Sequence, residues 1–172
     1  MSVNKLPRAS KEEYLLSLAL SATIRSEDPW RRVAAIAADV NGHVLATGYN
    51  GSQAGEILTD DVWQDRELRL KSVVHAEMNV LSCVRKHEVH TVACTLAPCL
   101  HCAKSLVLWG VKNVVYMFDY NRDNEGVEYL RKRITVVKHN PQHIWQLTQV
   151  NVEALFKMQA DSELAGGLTK QS

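Results

Sequence analysis

Four residues in this sequence could meet at a single point: His75 and Glu77 in VVHAEMNVLSCV (residues 73–84), and Cys99 and Cys102 in APCLHC (residues 97–102). The first stretch reads as an apolar strand running into an apolar helix, and a plain core segment would want neither a histidine nor a glutamate at that junction. Two thiols three residues apart at a helix N-terminus can point at one spot, and the helix dipole favours their thiolate forms. His75 stands at the head of another helix, and in an open sheet such helix heads meet above the strand ends. One histidine and two thiolates make three protein ligands for a tetrahedral zinc whose fourth position is left to water. Glu77, two residues after His75, can reach that water without binding the metal. Zinc lowers the pKa of the water from ~16 toward ~7, and a carboxylate can carry its proton onward. Cys-x-x-Cys alone also fits a structural zinc knuckle or a redox pair. The knuckle would want a fourth protein ligand, and the redox pair would leave His75 and Glu77 without a role.

The elements that must position these groups are legible around them. Ser10 with Glu13 makes a capping box before YLLSLALSATI, which predicts a helix over residues 11–25. VAAIAADV and HVLATGY read as paired strands, with Asn41-Gly42 between them as a two-residue hairpin signal. Residues 50–71 are polar and irregular apart from a helical turn near DRELRLK, and long loops inside compact domains are usually functional. A helix follows from near His75, then the strand TVACTLA. Pro98 opens the helix CLHCAKSLVLWG, and Gly110 stops it. VKNVVYMF is a strand, NEGVEYLRKR a helix and ITVVKH a strand parallel to VKNVVYMF, because a helix separates the two. VNVEALFKMQ reads as one more helix, and ELAGGLTKQS as a frayed tail.

The expected fold is therefore α/β, a mixed five-stranded sheet with helices on both faces in three layers. The 172 residues are expected to form a single domain (1–172), with a core over about 10–140 and a C-terminal helix and tail over about 141–172. Formal charge is +1, which argues against broad electrostatic binding to nucleic acid or membrane. No apolar run reaches the length of a membrane span, and the first residues hold no apolar signal core, so the expected setting is intracellular, in the cytoplasm. Of the four cysteines, Cys83, Cys94, Cys99 and Cys102, the closely spaced Cys99 and Cys102 read in that setting as metal ligands or redox groups before disulfides.

His75-x-Glu77 followed by Pro98-Cys99-x-x-Cys102 resembles the signature of the zinc nucleobase deaminases. The chain resembles the cytidine and deoxycytidylate deaminase superfamily over roughly residues 10–140, and within it the deoxycytidylate (dCMP) deaminases. SEDPWRRVAAIAADVNGHVLATGYNGSQAG is similar to that branch's Ser-x-Asp-Pro segment, first hairpin and Gly-Tyr-Asn-Gly loop. DRELRLKSVVHAEMNVL and TLAPCLHCAKSLVLWGVKNVVY resemble its His-Ala-Glu and Pro-Cys-x-x-Cys helices.

The resemblance implies a cytidine-deaminase-like fold and hydrolytic deamination of dCMP to dUMP and ammonia, which supplies dUMP for thymidylate synthesis. It implies zinc on His75, Cys99 and Cys102, with Glu77 as the proton shuttle. Asn50 would contact the sugar, and Ala76 and Ala35 would stand by the pyrimidine. It further implies a homo-oligomer, hexamer or dimer, activated by dCTP and inhibited by dTTP with Mg2+ near Tyr49, Gly51 and Ser52. There are departures. Ala34 stands where the family usually has glycine and could narrow the base pocket, Gln53-Ala54 replaces a proline-containing turn, and Leu70 stands where tyrosine is common.

Other residues admit two readings. Arg31, Arg32 and Lys104 supply phosphate-binding charge or are solvated surface. His101 lines the pocket mouth or is simply exposed, and Trp30 walls the pocket or fills an interface. Cys83, His87, His90 and Cys94 could hold a second, structural zinc, or split between core and a polar connection. Alternatives for the whole chain are a deaminase of dCTP, of a free nucleoside or of a base in tRNA or DNA, and a zinc-stabilised regulator without activity.

Overall fold

The computed structural model describes residues 8–120 and 124–168, with side chains described as far as Gln159. The order of elements is α1 (Lys11–Ala22), β1 (Ala34–Ala38), β2 (Val44–Tyr49), α2 (Asp60–Gln64), α3 (Arg66–Ser72), α4 (Ala76–Ser82), β3 (Thr91–Leu96), α5 (Leu100–Trp109), β4 (Asn113–Phe118), α6 (Glu125–Arg131), β5 (Thr135–Lys138) and α7 (Pro141–Leu168). The strands form one five-stranded sheet in the order β2-β1-β3-β4-β5. β1 runs antiparallel to β2 and β3, while β3, β4 and β5 are parallel. This is the mixed sheet that the alternation of elements predicts.

β1 is AAIAA and is buried at every position, because successive side chains alternate between two covered faces. Ala35 and Ala37 face a core built with Val80, Leu81, Leu106 and Leu130, from α4, α5 and α6. Ile36 and Ala38 face Leu15, Leu16, Ala19 and Ile144, from α1 and α7. Helices therefore cover both faces. The capping box opens α1: Ser10 Oγ accepts from the Glu13 N–H at 3.2 Å, and Glu13 Oε2 accepts from the Ser10 N–H at 2.7 Å. A 3-10 turn over Thr23–Arg25 then completes the predicted span.

Three expectations change. The hairpin between β1 and β2 is not a two-residue turn: the Asp39 N–H donates to His43 O at 3.0 Å, and Gly42 sits at φ +87. The Asp39 carboxylate accepts from the Asn41 and His43 N–H groups, which fixes this longer loop with glycine at its left-handed position. The loop after Asn50 holds two short helices, α2 and α3, rather than one turn. Finally, α7 begins at Pro141 and not near Val150. Asn140 Oδ1 caps it by accepting from the Gln142 N–H at 2.9 Å, while Ile144 and Leu147 are buried. The helix continues to Leu168, so residues 163–168 of the expected frayed tail are helical, and residues 169–172 lie outside the described part. Among the described residues, no helix is long and apolar enough to cross a membrane.

Candidate active site

His75 and Cys99 occupy the N-cap positions of α4 and α5, where neither side chain makes a capping hydrogen bond. An N-cap residue has extended backbone and sits beside the unpaired N–H groups and positive end of its helix. A ligand placed there is free to point away from its own helix and meet the other. Cys102 sits one turn into α5, on the same side as Cys99.

Two glycines let the helix heads come this close. A Cβ on Gly48 of β2 would stand 2.5 Å from the Ala76 carbonyl oxygen and 2.7 Å from the Val80 nitrogen, so α4 rests directly on the strand backbone. A Cβ on Gly126 of α6 would stand 2.0 Å from the Pro98 carbonyl oxygen and 2.7 Å from the Cys99 carbonyl carbon. Two further ties hold the segment before His75. The Gly51 and Val74 backbones exchange hydrogen bonds of 3.2 and 2.8 Å, and Asn79 Nδ2 donates to Tyr49 O at 2.6 Å.

His75 Nδ1 lies 3.3 Å from Cys102 Sγ and 3.6 Å from Cys99 Sγ. The three ligand atoms lie within 4.8 Å of one another. A nitrogen and a sulfur sharing a tetrahedral zinc at ~2.05 and ~2.3 Å would stand about 3.6 Å apart, so these separations fit that ion. Among the described residues this is the one cluster of metal-ligating side chains, and it offers three ligands. Cys83 is exposed and Cys94 fully buried, so the Cys83, His87, His90 and Cys94 grouping does not form.

The electrostatics suit a divalent cation. The Cys99 thiol is pushed down to about 3, first by the hydrogen bond it receives from Cys102 and then by the one from His75. Cys102 is pushed up, because it donates that bond and is buried. His75 is raised by its hydrogen bond to Cys99, against the effect of burial. A site holding one thiolate, one thiol and an imidazole ready to protonate has the donors that zinc selects, and zinc would displace their protons. Glu77 is 4% exposed, and burial pushes its carboxyl up from the ordinary range. A buried carboxyl with a raised pKa beside a metal site suits proton transfer near neutral pH.

The site opens into a cavity of about 120 Å³. Its lining includes His75, Ala76, Glu77 and Cys99, together with Asp28, Val33, Asn50, Leu96 and Ala97. Trp30, Arg31, Arg69, Leu70 and Tyr120 also line it. Ala34 and Ala35 are fully buried and do not line the cavity, so the methyl at Ala34 does not narrow it. Tyr49, Gly51, Ser52 and Lys104 lie outside it as well, and His101 is exposed.

Asn50 does line the cavity, but its amide is fully engaged within the protein. Oδ1 accepts from Ser26 Oγ and the Val33 N–H, both at 2.7 Å. Nδ2 donates to Asp28 Oδ2 at 3.1 Å and to Arg31 O at 2.8 Å. Sequence reasoning missed Arg69, which reads as one of several charges on a surface helix, and Tyr120, which only the fold brings near. It also missed Gly48 and Gly126, whose role lies in contacts distant in sequence.

The zinc-binding region of the cytidine and deoxycytidylate deaminases matches residues 9–118. This chain belongs to that family. Zinc is therefore the metal that the His75, Cys99 and Cys102 cluster fits. The deoxycytidylate deaminase of Mus musculus is 32% identical over 124 residues, covering 66% of this chain and 67% of that one. A probable deoxycytidylate deaminase of Caenorhabditis elegans is 36% identical over 132 residues, covering 72% of this chain and 64% of that one. The chain thus spans about two thirds of the length of these curated relatives. Among solved structures, the dCMP deaminase of the cyanophage S-TIM5, crystallised in complex with dCMP and dUMP, superposes with a TM-score of 0.64. It is 27% identical, and the match covers 77% of this chain and 99% of the phage chain. Fold and site thus agree with the deaminase family that the two motifs resemble.

Proposed function

We propose that the protein is a zinc-dependent hydrolase that converts dCMP to dUMP and ammonia. The observation that carries this reading is the buried Glu77 carboxyl beside a three-ligand metal cluster, at a cavity whose lining includes two arginines. His75, Cys99 and Cys102 would hold the zinc, which when bound makes a water nucleophilic near neutral pH.

The remaining work falls to the chain. The walls hold the pyrimidine, with the Ala76 backbone beside it, and the narrow cavity limits competing water. Water adds at ring carbon C4, and Glu77 takes one of its protons at a carboxylate oxygen and delivers it to ring nitrogen N3. Glu77 then passes the second proton to the exocyclic nitrogen. The C4–N4 bond breaks, ammonia leaves, and the product keeps a proton on N3.

The test is ammonia release by zinc-loaded protein from dCMP, dCTP, deoxycytidine, adenosine and guanine. dCMP should be turned over with the highest kcat/KM. No ammonia from any of them, with zinc fully bound, would overturn the enzymatic reading in favour of a zinc-stabilised regulator.

Assembly and regulation belong to the same proposal. Trp145, Val152, Leu155 and Phe156 of α7 are 48, 45, 62 and 70% exposed, and such an apolar stripe supports a homo-oligomer. Control by dCTP, and by dTTP with Mg2+, rests on the resemblance of the Tyr49–Ser52 loop. There the Glu27 carboxylate already holds the Ser52 N–H and hydroxyl, so an effector phosphate would have to displace it. A dCMP saturation curve unmoved by either triphosphate would remove the effector reading. A cytoplasmic setting agrees with the free thiols that the metal site needs.

A further inference from the structure

Two arginines, Arg31 and Arg69, line the cavity, and the guanidinium of each lies near an aromatic ring. The Arg69 guanidinium carbon lies 5.7 Å from the Trp30 ring centre, and that of Arg31 lies 5.9 Å from the Tyr120 ring centre. Neither arginine belongs to an ion pair among the described residues. Arg69 is half-buried and held in place: Nη1 donates to the Trp63 carbonyl oxygen at 2.6 Å, and Trp30 Nε1 donates to the same oxygen at 3.1 Å. Trp30 is held in turn, because its N–H and that of Arg31 donate to Asp28 Oδ1 at 2.8 and 3.0 Å. The α2–α3 corner and the loop before β1 are thereby joined through one carbonyl.

A guanidinium has five N–H donors in a fixed fork, and among the described residues no other hydrogen bond engages the fork of Arg69. A ring beneath the plane orients the fork without neutralising its charge. An arginine fixed in this way is prepared for an anion that arrives with the ligand. Phosphate geometry matches the fork, and the bonds are charge-assisted.

We propose that Arg69, positioned by Trp30 and the Trp63 carbonyl, is the specificity-determining contact for the 5′-phosphate of the substrate, with Arg31 as the second contact. This inference rests on the deaminase reading of the same site. It makes the cavity selective for a nucleoside monophosphate over the free nucleoside.

The test uses the zinc-loaded full chain and the variants Arg69→Gln and Arg69→Lys. Gln can still donate to Trp63 but carries no charge, while Lys keeps the charge without the fork. kcat/KM is measured on dCMP and deoxycytidine, and the dissociation constants of dUMP and deoxyuridine are measured by calorimetry. Zinc content and melting temperature report the fold. Losing one charge-assisted contact should reduce the preference of Arg69→Gln for dCMP over deoxycytidine by about ten- to a hundredfold. The preference for dUMP over deoxyuridine should fall in parallel, and Arg69→Lys should recover part of both. If Arg69→Gln weakens nucleoside and nucleotide equally, its role is structural and the proposal falls. It falls too if the parent binds dUMP no better than deoxyuridine, even while dCMP is deaminated. If no substrate is turned over and dUMP still binds in an Arg69-dependent way, the phosphate contact stands and the deaminase reading fails.

Discussion

Gly126→Ala tests whether the metal site depends on how closely α6 approaches it. Intrinsic propensity favours the change, since alanine is better than glycine in a helix by up to ~1 kcal/mol. Packing opposes it. The new Cβ would meet the Pro98 carbonyl oxygen at 2.0 Å and the Cys99 carbonyl carbon at 2.7 Å. A C–H···O contact settles at ~3.3 Å or more, so about 1.3 Å of separation must be found. Neither atom is the end of a flexible side chain; both are backbone of the segment that carries Cys99. α6 is anchored through Val127 and Leu130, which are 5 and 0% exposed. The Pro98–Cys99 backbone, which ends at a half-buried ligand, is therefore the part expected to yield.

Metal–ligand distances tolerate only ~0.2 Å, so even a fraction of that shift, passed to Cys99 Sγ, disturbs coordination. Overpacking costs ~1–3 kcal/mol. If half of the upper value falls on the metal site, zinc affinity drops about tenfold, because ~1.4 kcal/mol is a factor of ten. The assay is zinc competition against a chromophoric chelator, with ammonia release from dCMP measured in parallel. Zinc affinity and kcat equal to the parent's, with or without a lower melting temperature, would show that α6 gives way instead and would refute the reasoning.

Glu77→Gln should keep zinc and lose ~10²–10⁴-fold or more in kcat, while His75→Ala loses both; turnover within tenfold of the parent would exclude Glu77 as proton carrier. The Glu77 carboxyl is raised above 4.5 in the fold, so its contribution to stability is complete below that value and is lost as pH rises through the folded pKa. Zinc-free Glu77→Gln should therefore melt above the zinc-free parent at about pH 8, and the gap should close toward pH 4.5. Zinc affinity should fall on acidification as protons return to His75, raised above 6.5, and to Cys102, but not to Cys99, already a thiolate down to about 3. Below pH 6.5 that is two protons, or ~100-fold per pH unit; a slope near three or near zero in a zinc titration would contradict the assignment. Asn50→Ala strands the hydrogen-bonding groups of Ser26, Asp28, Arg31 and Val33. At ~1–3 kcal/mol for each group left unsatisfied, the melting temperature should drop clearly, and an unchanged one would show that the network carries little.

Legibility in the sequence followed the range of the interactions. The ends of α5 were readable because Pro98 and Gly110 act locally: Gly110 takes φ +87 as the C-cap and Cys99 precedes the first turn. The parallel pairing of β4 and β5 followed from the helix between them, and the meeting of His75, Cys99 and Cys102 from helix heads converging over strand ends. Arg69 was not readable, because its neighbours in RELRLK give it the look of a solvated charge. Only the fold brings Trp30 and the Trp63 carbonyl to it. Asn50 was read through its loop as a sugar contact. Its four internal hydrogen bonds depend on partners up to 24 residues away in sequence, which no local pattern encodes. The start of α7 was missed because PQHIWQL places only Ile144 and Leu147 in the core, too sparse a stripe to read as a helix face.

The His75, Cys99 and Cys102 cluster and the residues around Trp30 are held by different means. The ligands sit at helix heads pressed against other backbone at Gly48 and Gly126, with 0% exposure at Ala76, Val80 and Cys102. Close-packed contacts of this kind have almost no soft direction, which suits a zinc site with narrow distance tolerance. Trp30 is held by hydrogen bonds to Asp28 Oδ1 and to the Trp63 carbonyl oxygen, and is itself 64% exposed. Hydrogen-bonded, solvent-facing loops open at lower free energy than a packed core. A nucleotide must enter, and its product must leave, without disturbing the metal. On the proposed reading, the close-packed contacts lie under the residues that would hold the zinc and the solvent-facing ones near Trp30, so substrate exchange need not disturb the coordination.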